Sequence, residues 1–418
     1  MKALIDKSII KGIAAAPPSK SYTIRALMCT AMAQGESRII NPLISDDTQA
    51  AAVALEQIGV TIVKEDGFWR VKGNGFHQPE KDLFCRDSAA TLRFMTAICA
   101  LVPGKCRLTM DDSLSKRPVE PLLDALSQIG VVCHRMGRIV IVDGGRLAGG
   151  RVDMPGDISS QFVSALLLAA PHSEKGVSIR LTTSPRSLPY LQMTLECLRH
   201  FGIKIKVSEV LMLFDIEPQE YKPAEYMVEG DWSSASYLLA LGAVGGEVTV
   251  TNLNPGSLQA DRIMLKLLQQ MGADIITQEN CITVRKSKLR AITADLSHCI
   301  DLLPTMAALA AVAEGESRFD GIGRARLKES DRVMSIKDGL EKMGITVTEK
   351  EDSLTISGGK PKGAAIDSFD DHRITMAFSI LGAVAGDTII ENAGCVAKTY
   401  PDYWQVFEGL SGRVEINV

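Results

Sequence analysis

The sequence predicts an α/β protein of six similar repeats, grouped in two domains of three repeats with helices inside and sheets outside. One pattern occurs six times at intervals of roughly 70 residues: a polar cluster, an apolar helix rich in small residues, and a glycine. These helices, for example SALLLAA at 164–170 and AALAAVA at 307–313, lack a polar face, which is typical of helices buried within a domain. The length of 418 residues also exceeds the ~250–300 residues at which one hydrophobic core stops growing.

Each repeat begins with one of these apolar helices, here called the first helix of the repeat. The first helices are predicted at 19–35, 88–104, 157–176, 231–246, 301–315 and 370–386. A second helix follows and ends at a glycine, the residue expected after the last helical turn. Those glycines are Gly59, Gly130, Gly202, Gly272 and Gly344, with a shorter relative of this helix near the end of the chain. We expect residues 19–229 to form one domain, and residues 1–18 with 230–418 to form the other.

Composition narrows the classes of function. The net charge of −4 gives no support for nucleic-acid binding by bulk electrostatics, so any anion must be recognised by locally placed residues. The nine cysteines form no C-x-x-C pair, and no apolar run approaches the ~20 residues that span a membrane. These features predict a soluble, cytoplasmic protein. The chain offers no His/Cys ligand cluster, so neither a metal nor a cofactor is predicted.

The start of the first helix carries two cations, Lys20 and Arg25, just after Pro18 and Ser19. Proline and serine are typical of a helix N-terminus, which has a positive dipole. Cations there lower helix stability, so an anion docked on this terminus would explain them. Taken alone, the segment fits a solvated basic turn equally well.

The other first helices also begin with polar residues. If the repeats are equivalent, these N-termini point to a common region that can bind more than one anionic group. The residues concerned are Lys20, Ser21, Arg25, Arg93, Ser159, Ser160, Gln161, Ser233, Ser234, Asp301, Asp371, His372 and Arg373. Simple helix capping is the favoured interpretation for Ser233, Ser234 and Asp371, whereas anion binding is favoured for Lys20, Arg25 and Arg373.

Two charged loops precede second helices, at 115–118 and 326–332. The second loop alternates cations with carboxylates, which can hold an anion beside a proton-transfer group, although a surface salt-bridge network would look similar. Near the end of the chain, Lys398 stands alone before a helix that Pro401 can initiate, which is a weak signal.

Several segments together resemble the enolpyruvyl transferases, in particular those that act on shikimate 3-phosphate. They are PSKSYTIRAL, SDDT, ISSQF, VEGDWSSASY, LKESDR, DDHRITMAF and CVAKTYPDY, and the match extends from about Pro17 to Tyr403. The resemblance implies two inverse α/β prisms, each of three βαβαββ units around buried helices, with the active site between domains that close on the substrate. It also implies a monomer.

The activity implied by the resemblance is transfer of the enolpyruvyl group of phosphoenolpyruvate to the 5-hydroxyl of shikimate 3-phosphate. Phosphate is released through addition and elimination by way of a tetrahedral ketal, in the pathway to chorismate and the aromatic amino acids. The residues implied for shikimate 3-phosphate are Lys20, Ser21, Arg25, Ser159, Ser160, Gln161, Ser187, Tyr190, Asp301 and Lys328. Those implied for phosphoenolpyruvate are Lys20, Ala89, Arg117, Gln161, Arg332, His372, Arg373 and Lys398. Those implied for catalysis are Lys20, Asp301 as general base, and Lys328 and Glu329 in proton transfer.

Three positions depart from the family pattern. Ala89 stands where the family usually has glycine, and its methyl group would shorten the phosphoenolpyruvate pocket, which predicts reduced sensitivity to the longer competitor glyphosate. Asp87 replaces an asparagine, which leaves its role open, and Arg324 replaces a frequent asparagine and adds a cation.

Two alternatives stay open. The sister transferase that acts on UDP-N-acetylglucosamine typically has a cysteine in the loop corresponding to 111–118, and this loop has none. A non-catalytic anion-binding protein on the same fold is disfavoured because Asp301, Lys328 and Glu329 are all present.

Overall fold

In the computed structural model, which describes residues 1–417, the chain forms two compact parts. The first domain comprises Pro18–Val228, and the second comprises Met1–Pro17 together with Glu229–Val418. Each has its own hydrophobic core.

The first and second helices of the repeats alternate along the chain, with one short extra helix. The α-helices of the described residues are α1 (Lys20–Met32), α2 (Asp46–Gln57), α3 (Ala89–Cys99), α4 (Asp112–Ser115), α5 (Glu120–Gln128), α6 (Ser160–Ala169), α7 (Leu188–His200), α8 (Trp232–Gly245), α9 (Met264–Gln270), α10 (Leu303–Val312), α11 (Arg332–Lys342), α12 (His372–Ala385) and α13 (Tyr403–Gly409). Short 3₁₀ segments lie at Ala170–His172, Ala260–Ile263, Ile300–Leu302, Gly323–Leu327 and Ala393–Lys398. Each of the six predicted segments contains its first helix, and the closing glycine lies after the end of that helix.

The strands are short. They are β1 (Lys2–Asp6), β2 (Ile10–Ala15), β3 (Gly35–Ile40), β4 (Thr61–Glu65), β5 (Phe68–Gly73), β6 (Leu83–Phe84), β7 (Gly104–Thr109), β8 (Val132–Met136), β9 (Ile139–Gly144), β10 (Gly150–Met154), β11 (Val177–Leu181), β12 (Lys206–Val207), β13 (Leu213–Ile216), β14 (Glu225–Met227), β15 (Gly246–Thr251), β16 (Asp274–Thr277), β17 (Cys281–Arg285), β18 (Thr293–Asp295), β19 (Glu316–Asp320), β20 (Thr346–Glu349), β21 (Ser353–Ser357), β22 (Ala365–Asp367), β23 (Thr388–Glu391) and β24 (Arg413–Asn417).

Across the described residues, these strands form six four-stranded sheets with one shared topology. In every sheet, one edge strand is parallel to its neighbour and the remaining pairs are antiparallel. The sheets of the first domain are β14-β3-β5-β4, β6-β7-β9-β8 and β10-β11-β13-β12. Those of the second domain are β2-β15-β17-β16, β18-β19-β21-β20 and β22-β23-β1-β24. The predicted two domains of three α/β repeats are therefore confirmed as the fold class.

Strands from distant parts of the chain complete some of these sheets. Strand β1 lies between β23 and β24, with Ala3 opposite both Ile390 and Ile416. The N-terminal strand thus completes the sheet of the sixth repeat. In the first domain, β14 completes the sheet of the first repeat as its parallel edge strand, with Tyr226 opposite Ile39 on β3.

The first helices form the centre of each domain. Helices α1, α3 and α6 pack in the first domain, and α8, α10 and α12 pack against one another in the second. Every residue of α8 is buried, whereas most of the residues of edge strand β4 are exposed. The predicted arrangement of inner helices and outer sheets is confirmed.

Glycines at strand ends permit close contact between a sheet and the last turn of a first helix. A Cβ added at Gly144, the last residue of β9, would overlap the carbonyl oxygens of Cys99 and Val102. A Cβ at Gly358, directly after β21, would overlap the carbonyl oxygen of Ala313. Only glycine allows the strand to approach the helix terminus this closely.

Candidate active site

Serine side chains cap all three first helices of the first domain. The hydroxyls of Ser19, Ser88 and Ser159 accept hydrogen bonds from backbone N–H groups in the first turns of α1, α3 and α6. The cap predicted at Ser19 is confirmed. These helix starts are linked by the side chains described next.

Lys20 connects the start of α1 to α2 and α3. Its Nζ lies 2.9 Å from Oδ2 of Asp47, a buried carboxylate of the SDDT segment. The backbone carbonyl of Asp47 in turn accepts a hydrogen bond of 3.2 Å from the hydroxyl of Thr91 on α3. The ammonium group is thereby held at the helix N-terminus while about a fifth of the side chain stays accessible.

Arg25 connects α1 to α7. Its Nε donates to the hydroxyl of Thr194 at 2.9 Å, Nη1 donates to the carbonyl of Ser21 at 2.9 Å, and Nη2 donates to the carbonyl of Tyr190 at 3.3 Å. Burial lowers the pKa of Arg25. Ser187, with a left-handed φ of 54°, is the residue before α7 and accepts a backbone hydrogen bond from Tyr190. Ser21, Arg25, Ser187 and Tyr190 are therefore brought together.

Arg93 connects α3 to α6 and to the loop at 115–118. Its Nη1 donates to Oε1 of Gln161 at 2.6 Å and to the hydroxyl of Ser159 at 3.3 Å, and Nη2 donates to the carbonyl of Pro118 at 3.1 Å. Arg117, the residue before Pro118, is 7% exposed. The loop and the two helix starts thus share one guanidinium group.

The remaining predicted residues of the first domain lie at the same helix ends. Ala89 is the first residue of α3, one turn before Arg93, and Ser160 is the first residue of α6; both are buried. Asp87 accepts a hydrogen bond from the hydroxyl of Ser113 in α4. We use the name first-domain cluster for the predicted residues described so far. They are Lys20, Ser21, Arg25, Ala89, Arg93, Arg117, Ser159, Ser160, Gln161, Ser187 and Tyr190.

In the second domain, Arg332 is surrounded by carboxylates. Its Nε lies 2.7 Å from Asp371, its Nη1 lies 2.7 Å from Asp301, and its Nη2 lies 2.6 Å from Glu329. The side chain is 1% exposed. Burial alone would lower the pKa of Arg332, but the three carboxylates raise it above its usual value. Arg332 thus fixes the carboxylates in place as a permanent cation.

Asp301 is shared by three cations. Oδ1 lies 3.2 Å from Nζ of Lys328 and 2.7 Å from Nη1 of Arg332, and Oδ2 lies 3.3 Å from Nη2 of Arg373. Burial raises the pKa of Asp301, but the charges of Arg373, Lys328 and Arg332 outweigh burial and hold it well below the usual value. Burial also lowers the pKa of Lys328, although the charge of Asp301 opposes that shift. Asp301 is therefore an ionised base beside an ammonium group that loses its proton more readily than usual.

Glu329 lies between two cations, Arg332 and Lys398, whose Nζ is 3.8 Å from Oε1 of Glu329. His372 is 1% exposed, and its Nδ1 lies 3.9 Å from Asp371. Asp371 caps α12 by accepting from the backbone N–H of Arg373, as predicted, and also holds Arg332. We call the set of Asp301, Lys328, Glu329, Arg332, Asp371, His372, Arg373 and Lys398 the second-domain cluster.

Comparisons with known proteins decide the family. A family model described as EPSP synthase (3-phosphoshikimate 1-carboxyvinyltransferase) matches residues 6–407. The chain belongs to the EPSP synthase family. Relatives named 3-phosphoshikimate 1-carboxyvinyltransferase include that of Dehalococcoides mccartyi strain 195, 51% identical over 416 residues and 99% of both chains. That of Halobacterium salinarum strain R1 is 42% identical over 432 residues, covering 99% of this chain and 100% of the relative.

Solved structures agree with membership of the EPSP synthase family. An EPSP synthase from Acinetobacter baumannii has a TM-score of 0.84 at 27% identity, covering 99% of this chain and 100% of that chain. The enolpyruvyl transferase NikO from Streptomyces tendae, 18% identical with a TM-score of 0.81 over 99% of this chain and 98% of that one, shows the same fold. The resemblance predicted from the sequence, and the fold it implied, are confirmed.

Sequence reasoning missed several residues that position the EPSP synthase clusters. Asp47 lies in a quoted motif, but nothing local indicated that it pairs with Lys20, 27 positions away. Thr194 and Asp261 lie in segments without a motif, and their polar side chains are buried in the fold. The capping predicted for Ser233 and Ser234 is wrong, because Asp231 caps α8 by accepting from the backbone N–H of Ser234, and the hydroxyl of Ser233 donates to Asp261.

None of the helices in residues 1–417 is long and apolar enough to cross a membrane. Within the same residues, no group of three or more His, Cys, Asp or Glu side chains is arranged to hold a metal ion.

Proposed function

We propose that this chain transfers the enolpyruvyl group of phosphoenolpyruvate to the 5-hydroxyl of shikimate 3-phosphate and releases inorganic phosphate. The observation that carries the proposal is the pair of clusters, one rich in helix N-termini and one in which an ionised carboxylate is surrounded by cations, in a chain of the EPSP synthase family. The product lies on the pathway to chorismate and the aromatic amino acids.

The first-domain cluster is proposed to bind shikimate 3-phosphate. Phosphate oxygens accept hydrogen bonds, and the capped starts of α1 and α6 offer backbone N–H groups together with the side chains of Ser21, Ser159 and Ser160. Arg25 supplies positive charge and fixes α7, which carries Ser187 and Tyr190. Gln161, held by Arg93, is proposed to contact both substrates.

The second-domain cluster is proposed to bind phosphoenolpyruvate through Arg332, His372, Arg373 and Lys398. The family resemblance also assigns Lys20, Ala89 and Arg117 to this substrate. Arg373 and Lys398 supply positive charge beside the carboxylates of Asp301 and Glu329, at 3.3 and 3.8 Å. Arg332 already donates to three carboxylates, so it can contact the substrate only if Glu329 releases Nη2. Lys398, 3.8 Å from Glu329, can then balance the charge of that carboxylate.

The cluster can move protons as the reaction requires. Asp301 accepts the proton of the 5-hydroxyl while the hydroxyl oxygen bonds to C2 of phosphoenolpyruvate, and Lys328 or Glu329 delivers a proton to the methylene carbon C3. The resulting tetrahedral ketal loses phosphate from C2 and a proton from C3, which restores the enol ether. Cations around the ketal stabilise the leaving phosphate.

The chain is further proposed to act as a monomer in the cytoplasm. Six of its nine free cysteines are buried in the two cores as thiols, which fits a reducing compartment.

Phosphate release in a coupled assay tests the proposed reaction. We expect release that requires both shikimate 3-phosphate and phosphoenolpyruvate and stops when either is omitted. Release with UDP-N-acetylglucosamine in place of shikimate 3-phosphate would favour the sister transferase. Binding of both phosphorylated substrates without release would favour a non-catalytic anion-binding protein.

A further inference from the structure

A buried carboxyl outside the proposed chemistry, that of Asp261, lies in the 3₁₀ segment Ala260–Ile263. The side chain is 1% exposed, and the hydroxyl of Ser233 donates a hydrogen bond to Oδ2. Within residues 1–417, no donor lies within hydrogen-bond distance of Oδ1. A buried carboxylate with one oxygen lacking a donor is costly, so the neutral acid is favoured here.

Asp261 and Asp301 interact electrostatically. The segments that carry the two residues, Ala260–Ile263 and Ile300–Leu302, both pack against α8. Burial raises the pKa of Asp261 to about 7, the charge of Asp301 adds to that shift, and the charge of Arg373 opposes it. Near neutral pH the two neighbouring carboxyls therefore differ, because Asp301 is ionised and Asp261 is close to its midpoint.

The charged and titratable groups around Asp261 come from several elements. Asp301 belongs to a 3₁₀ segment, Arg373 to α12 and Asp231 to the start of α8, and the thiol of Cys299 also interacts with Asp261. Arg373 is the cation among these named groups, and it also contacts Asp301 at 3.3 Å. A negative charge on Asp261 therefore acts on Asp301 both directly and by competing for Arg373.

We infer that Asp261 is a positioning residue that sets the base strength of Asp301 through its own charge. When Asp261 loses its proton, the added negative charge favours protonation of Asp301 and makes it a stronger base. This inference rests on the proposed function, in which Asp301 accepts the proton of the substrate hydroxyl. Asp261 itself has no proposed contact with either substrate.

The test compares pH profiles of the wild-type enzyme and the Asp261→Asn variant. Asparagine keeps the size of the side chain and an acceptor for Ser233, but it cannot ionise. We expect the two kcat values to agree within about twofold at pH 6, and the wild type to be faster by about tenfold at pH 8.5, with the change centred near pH 7. The KM for each substrate should stay within about threefold, since neither is bound by Asp261. A ratio of kcat values that does not change with pH would overturn the inference.

A second variant and a direct titration separate this role from a merely structural one. Ser233→Ala removes a hydrogen bond that favours the ionised form, so the change in the profile should move to higher pH; an unmoved change overturns the inference. In ¹³C NMR of carboxyl-labelled aspartate, one buried carboxyl should titrate near pH 7 and be missing from Asp261→Asn. Absence of that titration in the wild type overturns the inference even if the variant fails to fold. A wild-type protein that titrates as expected but releases no phosphate would refute the proposed function instead.

Discussion

Replacing Asp301 with asparagine removes the charge that three cations share. Its Oδ1 lies 3.2 Å from Lys328 and 2.7 Å from Arg332, and its Oδ2 lies 3.3 Å from Arg373. The Asp301→Asn variant has nearly the same shape but can neither accept the substrate proton as an anion nor neutralise the cations. The change should therefore lower both the rate and the stability.

The size of each effect follows from these contacts. Loss of a positioned general base costs about 10²–10⁴ in rate, so kcat should fall by at least about 100-fold. Removing one partner of a buried ion pair costs ~3–5 kcal/mol, and because 17% of the Asp301 side chain remains exposed we expect ~3 kcal/mol of the unfolding free energy.

The difference in unfolding free energy between the wild type and Asp301→Asn should decrease as the pH falls. The pKa of Asp301 in the folded protein is well below its usual value, so its contribution is fully present above the unfolded value of about 4 and is lost as pH falls through the folded value. The difference between wild type and variant should therefore shrink in strong acid, as Asp301 becomes protonated in the folded protein.

Urea unfolding and steady-state kinetics measure the two effects. The matched control is Asp320→Asn, since Asp320 pairs with Arg318 on the exposed face of β19 and should change stability by less than ~1 kcal/mol. Retention of wild-type kcat within threefold by Asp301→Asn would refute the role of Asp301 as the base. A loss of stability no larger than that of Asp320→Asn would refute the electrostatic argument.

Three further substitutions test other parts of the account. Lys20→Ala should lower kcat/KM by about 100-fold while the protein stays folded, because one of two anion-binding charges at the start of α1 is removed. Lys266→Ala, at an exposed position of α9, should leave the kinetics unchanged. Ala89→Gly should lower the inhibition constant of glyphosate, measured against phosphoenolpyruvate, by about tenfold, because removal of one methyl group lengthens the phosphoenolpyruvate pocket. An unchanged inhibition constant would contradict the assignment of Ala89 to that pocket. Gly144→Ala should lower the unfolding free energy by about 1–3 kcal/mol, because the added Cβ overlaps backbone oxygens. The control Gly409→Ala adds a Cβ in open space and should leave the unfolding free energy unchanged. Equal effects of the two substitutions in urea denaturation would show that β9 does not need to lie this close to the end of α3.

The sequence predicted features that depend on local patterns. The apolar first helices, the serine cap of α1 and the capping of α12 by Asp371 follow from spacing and composition within a few residues. Within the first domain, hydrogen bonds link the starts of α1, α3 and α6, as expected for equivalent repeats.

Long-range pairings were not predictable in the same way. Nothing in the segment Lys2–Asp6 shows that it lies between β23 and β24, because a short alternating strand can pair with any partner of suitable register. Likewise, Arg332 resembles an exposed charge in a charged loop, and its enclosure by three carboxylates depends on residues from three separate segments. Asp261 belongs to no recognisable motif, and its proposed role depends on burial, which the local sequence does not show.

The mass of the product formed in D₂O tests the central claim most directly. The protein, shikimate 3-phosphate and phosphoenolpyruvate are mixed in D₂O, and the shikimate product is analysed by mass spectrometry. We expect a product heavier by one enolpyruvyl group that also carries deuterium in its methylene group, because a proton enters C3 on addition and leaves it on elimination. A reaction mixture without this product, or a product that never contains deuterium, would contradict the proposed reaction.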